Sequence, residues 1–280
     1  MSEFFPSLPI GNDRLFCYNT RMTILHSIIL GLVEGFTEFL PISSTAHLIL
    51  VSKILSIDQS MFVKTFEIAI QGGAILAVII FYWRKLLDLE ILKRLIVSFI
   101  PTAIIGFILY KLIKDILVGN MTIVLLSLFL GGLVLIYIDR VSRIKNNIES
   151  GRAIKELTYK EAFMIGIAQS LAIIPGVSRS AATIVGGLFL GMNMKAVVEY
   201  SFLLAIPTIV AATGYDLIKN IHSFSIDQTS MLIVGFVASF ITAIFGIRLL
   251  NNVAKRSSMK AFGMYRISLV ILVVILVLIC

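Results

Sequence analysis

The strongest constraint in this sequence is a series of apolar blocks about one membrane thickness long, two of them broken internally by a proline among hydroxyl residues. The first block, 24–55, is interrupted at Pro41-Ile42-Ser43-Ser44-Thr45. Uninterrupted blocks follow at 66–83, 95–113 and 122–138, and then a polar, charged connector at 139–160. The block at 162–190 is broken again, at Pro175-Gly176-Val177-Ser178-Arg179-Ser180, and three whole blocks follow at 197–218, 231–250 and 261–280. About 20 apolar residues cross a bilayer as a helix. Only 14% of the residues are charged and 58% are hydrophobic, whereas soluble domains carry about 25% charged residues. The chain therefore reads as an all-α, polytopic membrane protein.

The breaks say more than the whole blocks do. Proline removes a helix hydrogen bond and clashes with the preceding turn. The backbone groups it frees cannot face lipid and must be buried in protein or line a water-filled cavity. Each broken block is therefore expected to be a re-entrant helical hairpin. The order broken, whole, whole, whole occurs twice, with residues matching at a nearly constant offset. Gly31 matches Gly166, Glu34 matches Gln169, Pro41 matches Pro175, Ser44 matches Ser178, and Thr65-Phe66 matches Ser201-Phe202. This predicts a tail at 1–21, a first repeat at 22–150 and a second at 151–280. Each repeat would hold one hairpin and three spans, giving six transmembrane helices and two hairpins. Three spans is an odd number, so the second repeat is inverted relative to the first, an arrangement common among transport proteins.

Charge placement tests that topology. It puts fifteen Lys and Arg on one side and seven on the other, with Arg179 and Arg266 inside apolar blocks, out of 24 in the chain. The positive-inside rule makes the richer side cytoplasmic, so both termini are expected outside. The net charge of +8 is then a matter of topology and anionic lipid, and no nucleic acid is expected as a partner. Cys17 and Cys280 are the two cysteines and form no metal-ligand pattern or disulfide framework. The first 21 residues lack the basic and apolar regions of a cleavable signal peptide and read as a flexible or peripheral tail, or as the product of an upstream start codon chosen in place of Met22.

The chemistry concentrates at the breaks. The first reads Glu34-Gly-Phe-Thr-Glu38-Phe-Leu-Pro-Ile-Ser43-Ser44-Thr45-Ala-His47. Glu34 and Glu38 are four apart and share a helix face. Two carboxylates inside an apolar block are costly and mark function. They can bind a divalent cation through oxygen or work as acid and base. Ser43, Ser44 and Thr45 place hydroxyls at the break, and His47 can exchange a proton or attack phosphorus. In the second break, Arg179 lies among apolar residues, where a lone guanidinium costs several kcal/mol. Its anion can be Glu34, Glu38 or a bound phosphate. Gly176 allows close backbone approach, Ser178, Ser180 and Thr183 offer hydroxyls, and a helix starting there points free amides at an anion. Glu67, Gln71, Glu199 and Asp216 read as helix-end or inter-helix contacts, and Tyr82, Trp83 and Tyr137 as interface aromatics.

Both motifs resemble those of the bacterial undecaprenyl-diphosphate phosphatases of the bacitracin-resistance type, over nearly all of the chain from Met22 onward. The resemblance implies an integral membrane hydrolase that converts undecaprenyl diphosphate to undecaprenyl phosphate and inorganic phosphate. That reaction recycles the lipid carrier of cell-wall synthesis and lowers sensitivity to bacitracin. It also implies a divalent cation (Mg2+ or Ca2+), a homodimer, and a site on the outer face of the cytoplasmic membrane. On this reading Glu34, Glu38, Ser44, His47 and Arg179 are catalytic, and Ser43, Thr45, Gly176, Ser178, Arg179, Ser180 and Thr183 hold the diphosphate. Glu34 and Glu38 also serve as the metal ligands. The nucleophile is left between Ser44, His47 and water. The competing reading is a transporter or flippase of a phosphorylated polyprenyl lipid, since inverted repeats with broken helices suit alternating access.

Overall fold

The computed structural model describes residues 21–58, 60–112, 120–144, 151–220, 225–255 and 258–279. Cys17, Cys280 and all of the expected tail except Arg21 lie outside these residues. The described residues form ten α-helices: α1 Ile24–Thr37, α2 Ser44–Ile54, α3 Met61–Leu86, α4 Leu89–Leu112, α5 Met121–Ile144, α6 Tyr159–Ser170, α7 Arg179–Phe189, α8 Met194–Asn220, α9 Ile226–Lys255 and α10 Lys260–Ile279. Short 3-10 turns at Ile154–Glu156 and Leu171–Ile173 flank α6. The six helices α3, α4, α5, α8, α9 and α10 are long and apolar enough to cross a membrane. The protein is thus an all-α, multi-pass membrane protein. The legs of the two broken blocks have 14, 11, 12 and 11 residues. At 1.5 Å per residue none exceeds about 21 Å, short of a ~30 Å hydrocarbon core.

Contacts fix how the broken pairs enter the bundle. At one end, Thr213 near the finish of α8 donates to the Ile68 carbonyl near the start of α3. At the other end, Lys85 pairs with Glu199. The central helices α3 and α8 therefore run antiparallel. The α1–α2 pair belongs to the first end: Ser52 of α2 donates to Glu67 of α3. The α6–α7 pair belongs to the second end, where Arg94 of α4 donates to the Leu157 carbonyl and Arg152 donates to the Leu190 carbonyl. Each pair starts and finishes at its own end, and the two breaks meet between them.

In lipid, apolar burial does not drive one helix onto another, so close approach and polar contacts do. The sequence supplies both. Gly31 and Gly35 of α1 press on α9, where a Cβ would collide with the Gly235 and Ser239 carbonyls. Gly166 of α6 presses in the same way on the Ser98 carbonyl of α4. Ser98 donates to the Ala162 carbonyl at 2.5 Å, and the Tyr200 hydroxyl lies 2.6 Å from Ser98 Oγ and 3.0 Å from the Arg94 carbonyl. These buried bonds tie α4, α6 and α8 together. Toward the second end the core closes with aromatic rings, Phe39 edge-on to Phe202 at 5.4 Å and Phe202 against Tyr82 at 5.8 Å. Tyr82 was expected at the interface with Trp83 and Tyr137. Instead it is half-buried and accepts a hydrogen bond from Asn251 at 2.9 Å, because a kink at Tyr82 (φ −117°, ψ 15°) turns it inward. Trp83 and Tyr137 are exposed.

Candidate active site

The two breaks use one backbone device. Ser43 (φ 70°, ψ 92°) and Ser178 (φ 75°, ψ 117°) each cap a new helix by accepting the amide three residues on, from Ala46 and Ala181. Only three described non-glycine residues have positive φ, and these are two of them. The sequence offset matched Ser178 to Ser44. By backbone conformation Ser178 corresponds to Ser43, because the second break carries one more residue between its proline and its cap. Gly176 (φ 94°) takes up the extra turn, pressed so closely on the Val124 carbonyl that no Cβ would fit. Ser44 therefore occupies the position that Arg179 holds in the second break, as the first residue of its helix.

Arg179 joins the breaks. Its Nη2 donates to Glu38 Oε1 at 3.1 Å, and its Nη1 donates to the Ser201 carbonyl at 3.0 Å. Glu38 Oε2 accepts the Ser44 hydroxyl at 2.5 Å. Of the partners the sequence offered Arg179, Glu38 is the one present. Its Nε is buried without a partner, so the guanidinium has donor capacity left. A cavity of about 160 Å³ opens over this triad, lined by Glu38, Ser43, Ser44, Thr45, Gly176, Ser178 and Arg179. Its far wall is Gln71 of α3 with Thr208, Ile209 and Ala212 of α8. These wall residues lie in the halves of α3 and α8 nearest the first end. Gln71 was read from sequence as an inter-helix contact. Only the pairing of α3 with α8 places it on the cavity.

Four sequence candidates do not line the cavity. Ser180 donates to the Phe39 carbonyl at 2.7 Å, bridging the two breaks. Thr183 donates back to the Arg179 carbonyl at 3.0 Å. His47 turns toward α10: Nδ1 lies 2.8 Å from the Ser43 carbonyl and Nε2 lies 2.7 Å from the Tyr265 hydroxyl. A carbonyl only accepts, so Nδ1 carries a proton and donates to Ser43, while Nε2 pairs with the tyrosine hydroxyl. Glu34 sits one turn before Glu38, wholly buried, with its carboxyl group within hydrogen-bonding reach of the Glu38 carboxylate.

The adjacent carboxyl groups bear on a metal. Among the described residues no group of three or more His, Cys, Asp or Glu gathers. The donors on offer are all oxygens, from Glu34 and Glu38, which suits Mg2+ or Ca2+ completed by phosphate oxygens and water.

Sequence reasoning passed over Arg266 of α10. Its side chain is fully buried, and it donates to five carbonyls: Ser127 and Leu128 of α5, Pro41 of the first break, and Gly176 and Val177 of the second. An arginine inside an apolar block was the available signal, and carbonyls freed by two proline breaks were the matching demand.

Comparison with known proteins agrees with the motifs. The family model "Bacitracin resistance protein BacA" matches residues 27–272. The chain is 53% identical to the undecaprenyl-diphosphatase of Aquifex aeolicus over 247 residues, 88% of this chain and 95% of that protein. It is 51% identical to that of a Sulfurihydrogenibium species, over 90% and 98% of the two chains, and 42% identical to that of Thermus thermophilus, over 89% and 95%. With the family model spanning most of its length and two broken helices joined by the Arg179–Glu38 ion pair, this chain belongs to the bacitracin resistance protein BacA family.

Proposed function

We propose that the protein is an integral membrane phosphatase that hydrolyses undecaprenyl diphosphate to undecaprenyl phosphate and inorganic phosphate. The observation that carries this reading is the ion pair between Arg179 and Glu38, which brings the anion cradle of one break against the carboxylate and hydroxyl of the other. The relatives' shared name, undecaprenyl-diphosphatase, supplies the substrate. Arg179, Ser178 and the amides opening α7 receive the diphosphate and stabilise charge on its oxygens during transfer. The Ser44 oxygen attacks the terminal phosphorus, and its proton passes to Glu38 Oε2, already 2.5 Å away. The bond to undecaprenyl phosphate breaks, and water then frees inorganic phosphate from the serine. Attack by a water held between Ser44 and Glu38 uses the same base. Both ring nitrogens of His47 are already engaged, by the Ser43 carbonyl and the Tyr265 hydroxyl, and His47 does not line the cavity, which favours Ser44 or water over His47. A divalent cation held by Glu34 and Glu38 would neutralise part of the diphosphate charge.

The two short pairs act as re-entrant hairpins of two inverted repeats, 22–150 and 151–280, in the bacterial cytoplasmic membrane. The cavity wall draws on the halves of α3 and α8 nearest the first end, which carries fewer basic residues, and on the positive-inside rule that end and both termini lie outside. The protein acts there as a homodimer, with the polyprenyl tail lying in lipid beside the apolar residues Ala172, Ile209 and Ala212. The test is phosphate release from undecaprenyl diphosphate by the purified protein, alongside Arg179→Ala and Glu38→Ala at matched folding. Release by the wild type that is lost in both variants supports the reading. Lipid binding without release, with divalent ions supplied, overturns it and favours a transporter.

A further inference from the structure

The site's two breaks share a feature that the reaction does not use: their carbonyls are gathered onto one neighbouring helix. We infer that consecutive residues of α10, Tyr265 and Arg266, are positioning residues that clamp both breaks in their working geometry. This rests on the phosphatase reading for its kinetic arm only.

The geometry runs through two arms. In one, the Tyr265 hydroxyl meets His47 Nε2 at 2.7 Å, the rings stack 5.7 Å apart at 5°, and His47 Nδ1–H donates to the Ser43 carbonyl. That bond fixes the residue whose positive φ sets the direction of α2, and with it Ser44. In the other, Arg266 donates to the Pro41 carbonyl at 3.4 Å in the first break and to Val177 at 3.1 Å and Gly176 at 2.6 Å in the second. Its remaining donors hold α5 at Ser127 and Leu128. The described contacts of Arg266 include no carboxylate. Five carbonyl dipoles take the place of a counter-ion.

Two physical consequences follow. A carbonyl oxygen aimed into an anion site repels phosphate. The Gly176 carbonyl is drawn to Arg266 instead, while Gly176 itself lines the cavity. And a buried cation solvated only by dipoles adds positive potential beneath a diphosphate without cancelling a carboxylate that catalysis needs. Close packing of α10 on α5 makes this possible. Gly131 leaves the space that the guanidinium fills, and the Gly132 and Gly263 backbones abut. Lysine carries the same charge but is a compact ammonium with three donors, so it leaves at least two of the five carbonyls unpaired.

The experiment compares Arg266→Lys, Tyr265→Phe, His47→Asn and the Tyr265→Phe/His47→Asn double variant. Amide hydrogen exchange is read first, without substrate. Arg266→Lys should speed exchange about tenfold at 43–47 and 178–182 and leave α3 and α8 unchanged. Uniform acceleration, or none, overturns the clamp. Kinetics are read second, in variants whose melting temperature matches the wild type. Displacement of catalytic groups by about 1 Å costs on the order of 100-fold, so Arg266→Lys should lose about that in kcat with KM within about threefold. Tyr265→Phe should lose about tenfold, and the double variant no more than the worse single variant, because both side chains serve one arm. Unchanged kcat in both single variants, or fully multiplicative losses in the double variant, contradicts the inference. If the wild type itself releases no phosphate, the phosphatase reading fails while the exchange result still decides the clamp.

Discussion

Ser43-Ser44 and Ser178-Arg179 sit on nearly the same backbone and do opposite chemistry. Both caps hold positive φ and both accept the third amide onward. Yet the first break presents a hydroxyl bonded to a carboxylate, and the second presents a guanidinium. One local conformation thus carries a hydroxyl–carboxylate pair in the first break and a guanidinium in the second. The difference shows that the positive-φ cap is the shared backbone device and that the residue after it sets which polar group each break presents.

The sharpest way to break this comparison is to alter each half alone. Ser44→Ala or Glu38→Gln should lower kcat by about 10² to 10⁴-fold with little change in KM, since they act on proton transfer and attack. Arg179→Lys should lower kcat/KM by about 10² to 10³-fold and raise KM as well, because it removes a bidentate phosphate donor. Steady-state phosphate release separates the two. If Arg179→Lys changed kcat alone and Ser44→Ala changed KM alone, the assignment of halves would be reversed.

Next in size is the one residue by which the breaks differ. Gly176→Ala forces a Cβ into the Val124 carbonyl at φ 94°, a strain of about 1–3 kcal/mol. It should lower thermal stability and activity together. Stability equal to the wild type would mean that the extra turn is not built on that glycine.

A subtler test compares the caps. Ser43→Gly and Ser178→Gly each relieve positive-φ strain and give up one cap bond, which costs only a few tenths of a kcal/mol when glycine replaces serine. The two should shift the melting temperature in the same direction by similar amounts. Opposite signs would show that the breaks are not one device.

The smallest expected effect lies at the base of α6. Glu161 is pulled down to about 2, first by its bond to Arg152 and then by the Thr158 amide. Its folded value lies below the ordinary 4.5, so its stabilisation is complete above that value and is lost as pH falls from about 4.5 toward 2. Glu161→Gln should flatten the acid side of the stability curve by no more than ~1 kcal/mol, since the pair is partly exposed. A curve that matches the wild type down to pH 2 would remove Glu161 from the anchor of the second pair.

Much of this was legible in the sequence because it is local. Uninterrupted apolar length specifies the six long helices, and proline among hydroxyls marks both breaks. The cost of burying Arg179 demanded an anion, and the structure supplies Glu38. What was not legible is non-local. Arg266 carries the same cost as Arg179, but its solution is five carbonyls from three segments, and no spacing rule brings those together. His47 falls inside the motif, yet its partner is 218 residues away. Gln71 reaches the cavity only because α3 packs antiparallel to α8. The register of the two breaks was misread by one residue because letter matching favours Ser-for-Ser, whereas backbone conformation pairs the caps.

Arg179 and Glu38 join the two breaks into one site. The most direct test is a double-mutant cycle on kcat/KM for undecaprenyl diphosphate, using Glu38→Gln, Arg179→Met and the double variant at matched folding. Residues that work as a unit are strongly non-additive, so the account predicts a double variant no worse than about threefold below the poorer single variant. Losses that multiply in full would contradict it and place the two residues in separate sites.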